Sequence, residues 1–146
     1  MALEYMLRIA TNLKPSEVLD FLSSALGLEA DSEQVSGPGV IIYASTESER
    51  GRSIIEDAFH FSPTIRMTFR LDKFEDTELG RNTLLQATLE LLQQTNSDAV
   101  LLFNNEEVVL LSVGSRLILN KNNSFWISSR LSQVISSYEM GSIPSL

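Results

Sequence analysis

His60 is the single histidine of the chain, set between Phe59 and Phe61 and just ahead of Ser62-Pro63. An imidazole near a serine can act as general base for a nucleophile. No G-x-S-x-G elbow accompanies it, and no serine–histidine–carboxylate set can be located by spacing. The ordinary reading is a histidine packed between aromatic neighbours. Asp72, Glu75 and Asp76 offer a second chemistry, because carboxylates clustered after a strand suit a hard cation such as Mg²⁺ or Ca²⁺. Their spacing is not that of an EF-hand loop, and Arg66, Arg70 and Lys73 are close enough in sequence to pair with them. With no cysteine and one histidine, thiolate metal sites, cysteine nucleophiles and His-pair zinc sites are excluded. No phosphate-binding G-x-x-x-x-G-K-[ST] or G-x-G-x-x-G loop occurs either. The residues thus point away from an enzyme, with no cofactor and no resident metal expected. A small-ligand or metal-dependent protein using His60 or the Asp72–Asp76 connector is the alternative.

Carboxylates are the more informative group. Nineteen acids against eleven bases give a net charge of −8. From Glu17 to Asp57 there are nine acids and only two bases, Arg50 and Arg52. Such a surface repels nucleic acid and anionic lipid, which depend on Lys and Arg for affinity, and it favours cationic partners. Glu29, Asp31 and Glu33 occupy alternate positions, so a strand over Leu28–Val35 would project all three from one face. Acids on an edge strand guard against sheet aggregation. They serve equally to dock a basic protein.

The elements that would position these groups follow from hydrophobic period. Leu3, Tyr5, Leu7 and Ile9 alternate as a first strand. Pro15 opens a helix with Val18, Leu19, Leu22, Ala25 and Leu26 on one stripe, and Gly27 closes it. After the acidic strand, Ser36-Gly37-Pro38-Gly39 turns the chain into a strand over Val40–Ala44; Thr46–Ser53 reads as loop and Ile54–Phe59 as a short helix. Ile65, Met67, Phe69 and Leu71 alternate with Thr64, Arg66, Thr68 and Arg70, the clearest strand in the chain. A helix from about Thr77 to Gln94 follows, then three strands over Ala99–Phe103, Val108–Val113 and Arg116–Asn120. A last helix is predicted with Leu131, Val134, Ile135 and Tyr138 on one face. The expected fold is one α+β domain over residues 1–146. Its mainly antiparallel sheet has six to seven strands, with two to three main helices packed on one face. The opening Met-Ala-Leu-Glu-Tyr-Met-Leu-Arg lacks the pattern of a signal peptide, and no apolar run approaches a membrane span, so a cytoplasmic protein with no membrane partner is expected.

The stretch Phe61-Ser62-Pro63-Thr64-Ile65-Arg66-Met67-Thr68-Phe69-Arg70-Leu71-Asp72-Lys73-Phe74-Glu75-Asp76 resembles the Sit-type swarming-inhibition immunity proteins, third class, of bacterial polymorphic toxin systems. Ala2-Leu3-Glu4-Tyr5, Asp98-Ala99-Val100-Leu101-Leu102-Phe103, Leu117-Ile118-Leu119-Asn120 and Phe125-Trp126 agree in the same order along the chain. The resemblance implies a non-enzymatic protein that neutralises a cognate toxin by binding it inside the producing cell. It brings no catalytic or toxin-contacting residue with it. The region from Leu28 to Phe59 matches least. Since partner specificity must vary somewhere, Glu29, Asp31, Glu33, Glu47 and Glu49 are the expected contacts to a basic toxin.

Overall fold

The computed structural model describes residues 3–31, 33–72 and 77–146. Its elements run β1 (Leu3–Ile9), α1 (Pro15–Leu26), β2 (Glu29–Ala30), β3 (Gln34–Gly37), β4 (Val40–Thr46), α2 (Glu49–Phe59) and β5 (Ile65–Leu71). They continue as α3 (Thr77–Thr95), β6 (Ala99–Phe103), β7 (Glu107–Val113), β8 (Arg116–Asn120), α4 (Ser128–Leu131) and β9 (Glu139–Gly141). The strands form one sheet in the order β2-β3-β4-β5-β1-β6-β7-β8-β9. Every pairing is antiparallel except the last, β8 with β9. The fold is therefore α+β and mainly antiparallel, as the pattern predicts.

Alternation along β1 and β5 sends Tyr5, Leu7, Ile9, Ile65, Met67, Phe69 and Leu71 into a core shared with Val18, Leu19 and Leu22 of α1 and Leu84, Leu85 and Leu91 of α3. Pro15 supplies the first turn of α1, while the Lys14 N–H donates to the Glu17 carboxylate at 2.8 Å. Gly27 ends the helix at φ 64°, a left-handed conformation glycine adopts without strain. α2 lies on the opposite face. Its Ile55 packs with Val100, Leu102 and Val108, and Val100 and Leu102 alternate with the core-facing Ala99 and Leu101. The helices thus divide between two faces, with the two long ones together on one.

Among the described residues nine strands replace the expected six to seven, for two reasons. The segment Leu28–Val35 is a hairpin rather than a strand. Leu28 packs on the core and Val35 is fully buried, yet positions 28 and 35 fall on opposite faces of any unbroken strand. Turning the chain between β2 and β3 lets both face inward, and the Asp31 N–H donates to the Gln34 carbonyl at 2.8 Å across the turn. The other addition is β9, formed within the expected last helix and tail. That helix is one turn, Ser128–Leu131; Val134 is buried but Ile135 is 87% exposed. Serine competes for backbone hydrogen bonds here, with the Ser132 hydroxyl donating to the Ser129 carbonyl at 2.9 Å. α2 also begins earlier than its apolar residues suggest, because Ser48 caps it and its hydroxyl accepts from Gly51 N–H at 3.0 Å.

β9 is tied by Arg116, whose Nε and Nη2 each donate to one Glu139 carboxylate oxygen at 2.9 Å. Hydrogen bonding from Arg116 holds the Glu139 carboxyl below its ordinary value of 4.5. A carboxyl lowered in the folded state contributes above its unfolded value, and the contribution is lost as pH falls through the folded value. Glu139→Gln is therefore expected to reduce hydrogen-exchange protection at Lys121, whose N–H donates to the Gly141 carbonyl at 2.9 Å. Unchanged protection in that variant would show that β9 docks without the ion pair.

At Gly80 α3 approaches the sheet closely. A Cβ there would lie 2.7 Å from the Gly39 carbonyl oxygen in the β3–β4 turn and 3.0 Å from Leu71. Gly80→Ala gains up to about 1 kcal/mol of helix propensity but overpacks against backbone, a cost of roughly 1–3 kcal/mol. Net destabilisation in urea unfolding is expected; a stabilised variant would mean that helix and turn separate freely.

Candidate functional site

The predicted contact acids do not form one ladder. Glu29 sits on the short edge strand β2, Asp31 and Glu33 lie at the turn that follows, and all three are exposed. Glu49, the first residue of α2, is exposed as well. Glu47 departs from the expectation. Its side chain is 0% exposed and pairs with Arg8, Nη1 to Oε2 at 3.0 Å, so it is a structural counterion rather than a surface contact. The other Glu47 oxygen accepts from Ser48 N–H at 3.1 Å.

Arg8 is the reason Glu47 turns inward. It lies on the outer face of β1, directly opposite Arg66 of β5, and its Nη2 donates to Asn105 Oδ1 at 2.7 Å. Burial lowers the Arg8 guanidinium's pKa, Glu47 raises it and Arg66 lowers it further. The N-terminus of α2 is drawn tightly over this pair. A Cβ on Gly51 would collide with the Glu47 carboxylate and sit 2.9 Å from Arg8 Nη1. No sequence signal announces the pair, since its members are 39 positions apart.

Of the residues of the alternative reading, His60, Ser62 and Asp72 are described and do not meet at one site. His60 caps the C-terminal end of α2 at φ 64°, exposed, with its N–H donating to the Glu56 carbonyl at 3.0 Å. Ser62 Oγ donates instead to Glu56 Oε1 at 2.6 Å. Asp72 is exposed and its N–H donates to the Gly39 carbonyl at 3.0 Å. Lys73, Glu75 and Asp76, the rest of the charged connector, lie outside the described residues. Among the described residues no three carboxylates or imidazoles gather as metal ligands would.

A second polar network anchors the segment after β8. Buried Arg130 donates from Nε to the Phe125 carbonyl and from Nη1 to Glu78 Oε2, each at 2.6 Å. Its guanidinium stacks 4.7 Å from the Phe125 ring centroid. Arg81 shares Glu78 from the other side, and its Nε donates to the Tyr5 hydroxyl at 3.2 Å. Trp126 Nε1 donates to the Val109 carbonyl at 2.8 Å, so Phe125-Trp126 serves packing between this segment and the sheet.

What remains is a surface. Helix α2 covers the outer face around β6 and β7, whereas the outer face of β3, β4 and β5 carries Ser36, Ile41, Tyr43, Arg66, Thr68 and Arg70, with no helix over it among the described residues. The register aligns these in rows, Glu29–Ser36–Ile41–Arg70 and Gln34–Tyr43–Thr68. Tyr43 is 37% exposed at its centre. Neither Arg66 nor Arg70 forms an ion pair among the described residues. The sequence shows these arginines on one strand face; their place beside the acidic hairpin emerges only from the strand order.

The chain thus presents an open, mainly antiparallel α+β sheet with exposed acids at one edge and an arginine-bearing strand face nearby. The SitI3-like family model matches residues 3–130, and the chain belongs to that family. That family's name marks it as an immunity-type protein of swarming inhibition, in agreement with the resemblance carried by its strands. Comparison with curated proteins and with solved structures returned no match. Among the described residues, no helix is long and apolar enough to cross a membrane.

Proposed function

We propose that this protein is a non-enzymatic immunity protein that binds and neutralises a cognate, basic bacterial toxin in the cytoplasm of the producing cell. The single observation that carries the reading is the exposed acidic hairpin, Glu29, Asp31 and Glu33, in a chain of the SitI3-like family. Exposed Glu49 at the start of α2 adds to the same charge. A cationic toxin surface is steered toward such a patch, and opposite charges at the rim set encounter rate and register. Glu47 is withdrawn from the contact set by its burial, and the remaining four acids constitute the proposed contact. No cofactor, nucleic acid or membrane enters the proposed mechanism; neutralisation is steric and electrostatic.

The test is capture from the source cell. The tagged protein, recovered at low ionic strength with the toxin gene expressed, is expected to bring down one stoichiometric protein with a basic C-terminal domain. Recovery of the tagged protein alone under those conditions would contradict the reading and return attention to His60 and Asp72–Asp76.

A further inference from the structure

We infer that the uncovered outer face of β2–β5 is a self-complementary surface that pairs two copies of this chain back to back. The argument is the charge order across that face. Glu29 on β2 and Arg70 on β5 lie in one cross-strand row, with Ser36 and Ile41 between them. They are three strand spacings apart, about 14 Å at ~4.8 Å per strand. A two-fold axis parallel to the strands, passing between β3 and β4, inverts this order in the facing copy. Glu29 of each copy then meets Arg70 of the other, and Ser36 meets Ile41. In the next row Gln34 meets Tyr43. One row beyond Gln34 and Tyr43, Arg66 of the facing copy falls at the turn end of the hairpin, where exposed Glu33 lies. One axis therefore matches both charge pairs and places Ile41 and Tyr43 near the centre, as an isologous contact requires.

Arg66 supplies a further reason. It stands directly opposite Arg8, whose own carboxylate partner is Glu47, and like charges facing each other across strands are unfavourable. Glu4 stands opposite Arg70, yet no ion pair within 4.0 Å joins them. Acids from a second copy supply counter-charges that no ion pair among the described residues gives Arg66 and Arg70. Ile41 and Tyr43 at the centre, with arginine and glutamate at the rim, also match the aromatic, apolar centre and polar rim of interfaces. The four strands span about 19 Å in width. Of these only β4 and β5 are seven residues long, about 24 Å, while β3 has four residues and β2 two. The face is small, so the dimer is weak and salt-sensitive. The proposal stands apart from toxin binding and is tested on the purified protein alone. Because both partners use Glu29 and Glu33, toxin and second copy exclude each other.

Sedimentation equilibrium decides it. The protein is expected to show a concentration-dependent monomer–dimer equilibrium at about 50 mM salt, weakened roughly tenfold or more at about 500 mM. Arg66→Glu with Arg70→Glu is expected to be monomeric while folded, since a carboxylate at 66 gains Arg8 as a neighbour and offsets the one at 70 that faces Glu4. Glu29→Lys with Glu33→Lys is expected to be monomeric too. That pair changes the net charge from −8 to −4, which by general repulsion alone would strengthen association. The fourfold variant, with net charge restored to −8, is expected to dimerise again. A monomer at all concentrations in low salt, a dimer indifferent to both reversals, or a fourfold variant that stays monomeric would each overturn the proposal.

Discussion

Glu47→Gln is expected to cost the fold about 3–5 kcal/mol, the range for removing one partner of a buried ion pair. Gln matches Glu in size, so packing is preserved and the loss is electrostatic. Arg8 would keep its bond to Asn105, but its charge would remain inside with Arg66 across the strand and no carboxylate beside it. Arg8 Nε already lacks a partner among the described residues, so no spare acceptor is at hand. The N-terminus of α2 rests on the same carboxylate through Ser48 N–H and should loosen with it. Replacing both members, Arg8→Met with Glu47→Leu, should recover most of the loss, since a buried pair exchanged for apolar residues is often near neutral. Urea unfolding of the two single variants and the double one checks this. A Glu47→Gln protein within about 1 kcal/mol of the parent would contradict the assignment of Glu47 as a buried counterion.

The second large effect concerns the toxin. Reversing Glu29, Asp31 and Glu33 to Lys changes net charge by +6, from −8 to −2, and inverts the sign of the hairpin. Association with the cognate toxin is expected to slow tenfold or more at low salt, and the difference should shrink as salt screens it. The fold should tolerate the change, because all three side chains are exposed. Stopped-flow measurement at protein concentrations where the chain is monomeric gives the rate directly. An unchanged rate would move the contact away from the hairpin. Glu49→Lys, at the start of α2, provides a separate probe.

Much of this architecture is written in hydrophobic period. β5 is legible because Ile65, Met67, Phe69 and Leu71 alternate without interruption, and α1 because Pro15 and Gly27 bracket its apolar stripe. The hairpin is less legible, since the alternation of Glu29, Asp31 and Glu33 imitates a strand. Only the parity of Leu28 against Val35 betrays the turn. The start of α2 is hidden by Glu49, Arg50, Gly51 and Arg52, polar residues that read as loop until Ser48 is seen as their cap. At the last helix, the stripe Leu131, Val134, Ile135 and Tyr138 has the right period, but the intervening serines hold backbone groups locally.

The candidate site divides in the same way. Exposure of Glu29, Asp31, Glu33 and Glu49 follows from polar residues at an edge or helix start. The burial of Glu47 depends on Arg8, a long-range partner that local pattern cannot supply. The charge order of the outer face likewise depends on strand order, which places β5 between β4 and β1. Arg66 and Arg70 are visible as a strand face in the sequence, but their alignment with Glu29 is a property of the assembled sheet.

The most direct test is survival of a susceptible bacterium that expresses the cognate toxin with and without this chain. Growth is predicted to be restored when the chain is co-expressed and to fail again with the Glu29, Asp31 and Glu33 reversal at equal protein level. Undiminished killing in the presence of folded, abundant chain would contradict its assignment as the toxin's neutralising partner.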